Sequence, residues 1–294
     1  MRTSPELSLP PVGEPLEESA PLARRFAAES CAAPSRDGEG CGWIHGLWQY
    51  LRLAGLASSP AQHREFYAEA LQATGPRPRV MIAGAADYGM LAQVLAAQPG
   101  ARVTVVDRCE TPLALNRWYA ERLGAPILTH RIALSELTDE GSFDVVCSHS
   151  LLSEIEPAGR VAVLARWAGS LRRGGRALLV NRLRPGSTAA AVGFSASQAA
   201  PFREKVKAAV LSLDADWQQI APDVERYLAA RSAYPLCSVA EATHLFESAG
   251  LSVVEATEVR PGSESEAGPT SSPGACFVRV VAERRLYKNR EVTL

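Results

Sequence analysis

Apolar residues fall along this chain in two alternating kinds of run. Short continuous stretches, Val80–Ala83, Val103–Val106 and Leu178–Val180, are uninterrupted by charge, as strands buried on both faces require. Between them lie stretches with apolar residues three and four apart, such as Met90, Leu91, Val94 and Leu95, or Val161, Leu164, Ala165 and Ala168. The spacing predicts strands over Arg79–Ala83, Arg102–Asp107, Pro126–Ile132, Phe143–His149 and Arg176–Leu183. Helices are predicted after Asp87, from Thr111 to Leu123, and over Pro157–Leu171. Strand and helix in strict alternation imply an α/β fold with a doubly wound parallel sheet.

The flanks read differently. Met1 to about Pro21 is rich in Pro, Glu and Ser and reads as a mobile arm. A short helix over Leu22–Cys31, a polar link Pro34–Gly42, and helices Trp43–Leu56 and Pro60–Ala73 follow. Ile44, Leu47, Trp48 and Leu51 share one face, and Ser59 with Pro60 forms a helix start. Helices in this position form a lid or a substrate wall. After the fifth strand, Arg184–Pro235 reads as a helical insertion (Ala196–Leu213 and Asp214–Ala230). Ser238–Ala249 is a capped helix with Glu241 at capping-box spacing. Leu251–Val259 and Ala275–Glu283 alternate as an antiparallel pair around the loop Arg260–Gly274, and Leu286–Leu294 is a loose tail. The division expected is 1–78 for arm and lid, and 79–294 for the core with its insertion at about 184–235.

Composition narrows the partners. A net charge of -1 gives no pull towards nucleic acid or an acidic membrane. No apolar run reaches about twenty residues, so no membrane span is expected. Pro and Glu stand where a signal peptide would be apolar, which points to the cytoplasm. The six cysteines are scattered with no C-x-x-C pair, so reduced, buried thiols and no metal site are expected.

The candidate chemistry starts at the first strand's end. Gly84, Ala85 and Ala86 allow a tight turn and close approach of a ligand. Asp87 stands as a helix cap ahead of Gly89. Asp107, about twenty residues on at the tip of the next strand, sits where an acid reaches the ribose hydroxyls of a bound nucleoside. Its plainer alternative is capping of the helix near Thr111.

With these residues in hand, the chain resembles the class I S-adenosylmethionine-dependent methyltransferases. Val80–Gly89 and Val103–Asp107 carry the resemblance, and FDVVCS (Phe143–Ser148) and LRRGGRALLV (Leu171–Val180) extend it. It covers roughly Arg79 to Val180. The chain departs from the family at Ile82, where an acid is usual, and at Ala86 and Tyr88, which replace glycines. The resemblance implies a Rossmann-like sheet of seven strands ending in an antiparallel hairpin, S-adenosylmethionine as cofactor, and methyl transfer to a small-molecule acceptor. It implies cofactor contacts from Gly84, Ala85, Ala86, Asp87, Gly89, Asp107, Arg108, Ile132, Ala133 and Ser148. Asp87 would stand near the methionine's amino or carboxylate end, with Ser135 or Glu136 as further partners of the adenine.

His149, at the fourth strand's end, is the first candidate for a base that takes the acceptor's proton. It equally suits a role shaping the pocket through a hydrogen bond. Glu154 is the reserve. His45, Gln49 and Arg52 make a polar row at helical spacing, facing either substrate or solvent. Trp43, Trp48 and Tyr50 are either aromatic substrate contacts or core between helices. Arg182, Arg184 and Arg203 would suit an acidic substrate or a solvated surface, and His244 reads as surface. Other readings are a binding module that keeps the cofactor pocket without catalysis, and an NAD-dependent oxidoreductase. A homodimer is compatible with the sequence.

Overall fold

The computed structural model describes residues 13–31, 40–138, 140–187, 191–260 and 276–285. All of the expected loop Arg260–Gly274 beyond Arg260, the tail Leu286–Leu294, most of the Pro34–Gly42 link and the start of the arm lie outside the described residues. Among those described, seven strands form one sheet: β1 (Arg79–Ala83), β2 (Arg102–Asp107), β3 (Ile127–Arg131), β4 (Phe143–His149), β5 (Leu171–Leu183), β6 (Leu251–Val259) and β7 (Cys276–Arg284). Their order is β3-β2-β1-β4-β5-β7-β6, with β7 alone antiparallel to its neighbours. This is the doubly wound sheet with the C-terminal antiparallel pair that the sequence pattern implies. The chain runs outwards from β1 to β3 and returns to place β4 on the other side of β1. A crevice opens at that reversal, beyond the carboxyl ends of β1 and β4.

Alternate residues of each central strand feed opposite faces. Val80 and Ile82, with Val103, Val105, Val145 and Cys147, pack under α3 (Arg64–Gln72), α4 (Gly89–Ala97) and α5 (Glu110–Arg122). Met81, Ala83, Val106 and Val146 pack under α6 (Pro157–Ser170) and α9 (Val239–Ser248). Both faces are covered, which is why these strands are continuously apolar in sequence. The fifth strand begins earlier than expected, at Leu171. Its Gly-Gly segment stays in the strand as a register shift against β4, with Gly174 at φ +70°.

A third apolar cluster lies over the crevice. Trp43, Leu47, Tyr50 and Leu51 of α2 (Gly42–Leu53) pack with Phe202, Val206 and Val210 of α7 (Ala196–Leu211). Ile220, Val224 and Tyr227 of α8 (Trp217–Ala230) complete it. Phe202 and Tyr227 stack with ring centroids 5.5 Å apart. The N-terminal helix and the insertion are thus one helical layer, and Trp43 and Tyr50 serve as its core.

Two details correct the sequence reading. The first helix, α1 (Leu16–Ser30), starts inside the stretch read as a mobile arm. Its buried Ala20, Ala23 and Ala27 carry the packing, and Gly42 and Gly46 of α2 admit it closely: a Cβ on Gly42 would stand 3.4 Å from the Ala27 carbonyl oxygen. The helix expected over Pro60–Ala73 is a 3-10 turn, Pro60–His63, followed by α3, because His63 leaves helical geometry at φ -124°. Its start does carry the Ser59/Gln62 capping box.

Candidate functional site

A cavity of about 400 Å³ fills the crevice. Its floor is the β1–α4 turn (Gly84 to Asp87), the ends of β2 and β4, and the segment Ala133–Ser135. Its roof is α2 and the chain that follows it, including Trp48 and Ser58.

The turn needs glycine at Gly84 for two reasons. Its φ is +70°, and a Cβ there would lie 2.7 Å from Leu151 Cδ1. The Gly84 N–H donates to the Val106 carbonyl at 2.9 Å, anchoring the turn to β2. Asp107 ties the same two segments together. Its Oδ2 accepts from the Ala85 N–H at 2.9 Å and its Oδ1 from the Cys109 N–H at 2.7 Å. Burial raises the proton affinity of this carboxyl, and the two N–H groups oppose that rise. Each oxygen keeps a second lone pair, and the carboxylate lines the cavity.

Asp87 accepts from the Gly89 N–H at 2.7 Å through Oδ1, but it stands one residue ahead of the N-cap of α4, which is Tyr88 and not the Asp87 expected. Its Oδ2 pairs with Arg52 Nη1 at 2.7 Å, both side chains being buried. Arg52 Nη2 also donates to Ser59 Oγ at 3.0 Å and to Glu14. Burial works against the charge on Arg52, but Asp87 and Glu14 more than offset it and hold the guanidinium protonated. Gly89 makes room for this pair: a Cβ would stand 3.1 Å from Asp87 Oδ1 and 3.3 Å from Arg52 Nη1. Tyr88 points out of the turn, its hydroxyl 2.9 Å from Ser19 Oγ and its ring stacked on Tyr119 at 4.6 Å.

His149 stands between two hydroxyls, Tyr67 at 3.3 Å from Nδ1 and Ser58 at 3.3 Å from Nε2. The single Tyr67 proton goes to the Ser148 carbonyl at 2.9 Å. Nδ1 must therefore donate to the Tyr67 oxygen, which leaves Nε2 as an acceptor on the Ser58 side. Burial, and then the neighbouring His63, Arg52 and Arg182, hold the imidazole's proton affinity well below its ordinary value, so it is neutral near pH 7. Ser150, the next residue, sits at φ +55°, a left-handed conformation uncommon for serine, at the lip of the cavity.

The family model described as a methyltransferase domain matches residues 84–175, from the turn through β4 to the Gly-Gly segment. That stretch, under a third of the chain, is similar to a methyltransferase domain. No curated protein matches the sequence. The solved structures that share this fold include these three. One is a 1,6-didemethyltoxoflavin-N1-methyltransferase from Burkholderia thailandensis, with bound 1,6-didemethyltoxoflavin and S-adenosylhomocysteine. It has 20% identity and a TM-score of 0.54 over 94% of this chain and 93% of that one. A geranyl diphosphate methyltransferase in complex with S-adenosylmethionine has 14% identity and a TM-score of 0.52, over 86% and 94% of the two chains. The [4+2]-cyclase SpnF has 11% identity and a TM-score of 0.53, over 94% and 95%.

Of the residues expected in the site, Gly84, Ala85, Ala86, Asp87, Asp107, Arg108, Ala133 and His149 line the cavity. Gly89, Ile132 and Ser148 do not. Gly89 acts through the space it leaves. Ile132 is half-buried, packed against the core under α6, and Ser148 is fully buried, its hydroxyl donating to the Ala83 carbonyl at 2.6 Å. Asp87 spends its carboxylate on Gly89 and Arg52, so the charge the cavity meets there is shared with a cation. Ser135 lines the cavity. Glu154 lines it too, bonded to Arg231 Nη1 at 2.6 Å. Arg203 pairs on the surface with Glu225, and His244 is exposed beside Ser248. The sequence reading missed Arg231 and Ser58, and took Arg52 only as part of a polar row. That row divides: Arg52 joins Asp87, Gln49 is buried, and His45 meets three cysteines. Among the described residues no helix is long and apolar enough to cross a membrane.

Proposed function

We propose that this protein is a methyltransferase that transfers the methyl group of S-adenosylmethionine to a hydroxyl or amine of a small molecule, with His149 as the base. The observation that carries this reading is the cavity itself. A left-handed glycine turn and a strand-end carboxylate lie on its floor, a helical roof covers it, and an unprotonated imidazole nitrogen stands in its wall.

The residues present suit the cofactor. Gly84 lines the cavity in a left-handed turn, with the Leu151 side chain packed where its Cβ would be. Asp107 keeps an acceptor lone pair on each oxygen for the two ribose hydroxyls, and Ala133–Ser135 offer apolar surface and backbone groups to the adenine. Arg52 and Asp87 together present opposite charges to the methionine carboxylate and amine. When bound, the cofactor supplies a methyl carbon made electrophilic by its sulfonium. The chain's own work is alignment and proton removal. Tyr67 fixes the tautomer of His149, and Nε2 takes the proton from an acceptor group that occupies the place of the Ser58 hydroxyl. A cavity roofed by α2, in a chain of net charge -1, favours a small acceptor over a nucleic acid.

A second reading, a cofactor-binding protein that does not transfer the methyl group, is favoured by the likeness to a cyclase and by the low proton affinity of His149. Calorimetry with S-adenosylhomocysteine and with NAD, followed by label transfer from methyl-labelled S-adenosylmethionine to a panel of phenols, carboxylic acids and amines, separates the readings. Binding of S-adenosylhomocysteine with label on an acceptor is the expected result. Binding without transfer to any acceptor favours the second reading, and binding of NAD alone removes both.

A further inference from the structure

The three cysteines that meet His45 come from separate parts of the chain. Cys31 ends α1, Cys41 precedes α2, His45 lies in the first turn of α2, and Cys109 precedes α5. Their four donor atoms all lie within 4.8 Å of one another. Cys31 Sγ is 3.7 Å from Cys109 Sγ and 3.2 Å from His45 Nδ1. Cys109 Sγ is 3.1 Å from Cys41 Sγ and 3.4 Å from His45 Nδ1. Metal–ligand bonds of about 2.3 Å to sulfur and about 2.05 Å to nitrogen, arranged tetrahedrally, put two sulfurs about 3.8 Å apart and a sulfur and nitrogen about 3.6 Å apart. Three of these four separations lie within about 0.4 Å of that cage, and Cys41–Cys109 is shorter, at 3.1 Å.

We propose that Cys31, Cys41, His45 and Cys109 bind one zinc ion. Three thiolates and an imidazole are a soft to borderline donor set, and four donors at tetrahedral edges leave no position for water, which is the pattern of a structural zinc centre rather than of a hard cation. A disulfide does not account for the arrangement. The 3.1 Å Cys41–Cys109 separation is far beyond a bonded pair, and bonding those two would leave Cys31 and His45 converging on nothing. The surroundings are those of a metal site. Thr111 Oγ1 is 2.9 Å from Cys31 Sγ, where its hydroxyl donates to a thiolate, and the Cys109 backbone is fixed by Asp107.

The apolar packing here is thin: Ala27, Cys31 and Cys109, with Cys41 against them. The ion therefore supplies what the core does not, a staple from the end of α1 and the start of α2 to the β2–α5 turn. Cys109 is two residues beyond Asp107, and Cys41, His45 and Cys109 line the cavity. Zinc thus holds the loop that presents Asp107 and closes the lid at that end. Only this coupling to the cavity rests on the proposed function; the site itself does not.

Metal analysis of the full chain, purified from zinc-sufficient medium with any histidine tag removed, tests the site. About one zinc per chain is expected, released by a thiol-blocking mercurial and caught by a zinc chromophore. Cys109→Ser should carry several-fold less zinc, while Cys237→Ser, outside the cluster, should carry as much as the wild type. Stripped wild-type protein given cobalt should show the intense visible bands of a tetrahedral thiolate centre, a readout independent of whether any variant folds. Zinc below about a tenth of an equivalent in wild-type protein, with no cobalt–thiolate bands, overturns the proposal. So does a Cys41–Cys109 disulfide recovered from freshly purified protein.

Discussion

Replacing Asp107 by asparagine tests the cofactor end of the site with almost no change in volume. In the protein both carboxylate oxygens accept backbone N–H groups, from Ala85 at 2.9 Å and Cys109 at 2.7 Å. An amide has one acceptor oxygen, so in either orientation its NH2 faces one of those N–H groups. That donor loses its partner, at a cost of about 1–3 kcal/mol to the turn. On the cavity side, the variant keeps one of two acceptor oxygens, and bonds that were charge-assisted become neutral and about half as strong. Affinity for S-adenosylhomocysteine should fall by about 1–3 kcal/mol, roughly 5- to 150-fold in Kd. Asp107→Ala should act in the same direction. Because the turn weakens too, calorimetric Kd values must be taken where both proteins are folded, with denaturant melts beside them. A variant that loses stability but binds S-adenosylhomocysteine as the wild type does would confine Asp107 to holding the turn and remove it from the ribose.

Three further perturbations probe the neighbouring groups. His149→Ala should lower turnover by about 10²-fold or more with little change in cofactor affinity, whereas normal turnover would leave His149 as wall alone. Since burial keeps that imidazole neutral, wild-type kcat should stay level as pH falls through the ordinary histidine range near 6.5, and a titration there would contradict the environment described for it. Gly89→Ala drives a Cβ against Asp87 Oδ1 and Arg52 Nη1, so denaturant melts should show a loss of about 1–3 kcal/mol; an unchanged midpoint would mean that the ion pair yields without strain. His63 is pushed down to about 4 by burial and then by Arg279, whose guanidinium donates to its Nδ1. Unfolded histidine binds its proton near pH 6.5, so stability is full above that value and is lost as pH falls towards about 4, by about 3 kcal/mol. His63→Gln should flatten that slope, and parallel pH–stability curves would refute it.

How much of this was legible in sequence follows from where each signal resides. The β2 and β4 bounds match the sequence reading because both faces of those strands are buried, so the apolar run and the strand coincide. The start of α1 does not show, because its packed face is Ser19, Ala20, Ala23 and Ala27. Small residues make no hydrophobic stripe, and the matching signal, Gly42 and Gly46, belongs to another helix. Arg52 and Asp87 are 35 residues apart, and nothing local in either segment names its partner. The metal-like cluster was hidden the same way, since spacing rules find pairs close in sequence and Cys31 and Cys109 are 78 apart. One fragment was visible: Cys41 and His45, four apart across the start of α2, a spacing that puts two ligands on one helical face.

The departures from the family's glycine pattern have a physical reading that bears on function. A glycine is required in such a turn only where the backbone is left-handed or where a neighbour fills the Cβ position. Gly84 meets both conditions, and Gly89 meets the second through Arg52 and Asp87. Tyr88 meets neither, because its side chain leaves the turn for Ser19 and Tyr119. Ile82, fully buried in β1, takes the place of an acid without reaching the cavity. Of the three departures, Ile82 and Tyr88 lie outside the cavity, while Ala86 lines it. Ile82 and Tyr88 therefore give no support to a protein that has lost catalysis, and the case for a binding-only role has to be made on turnover instead.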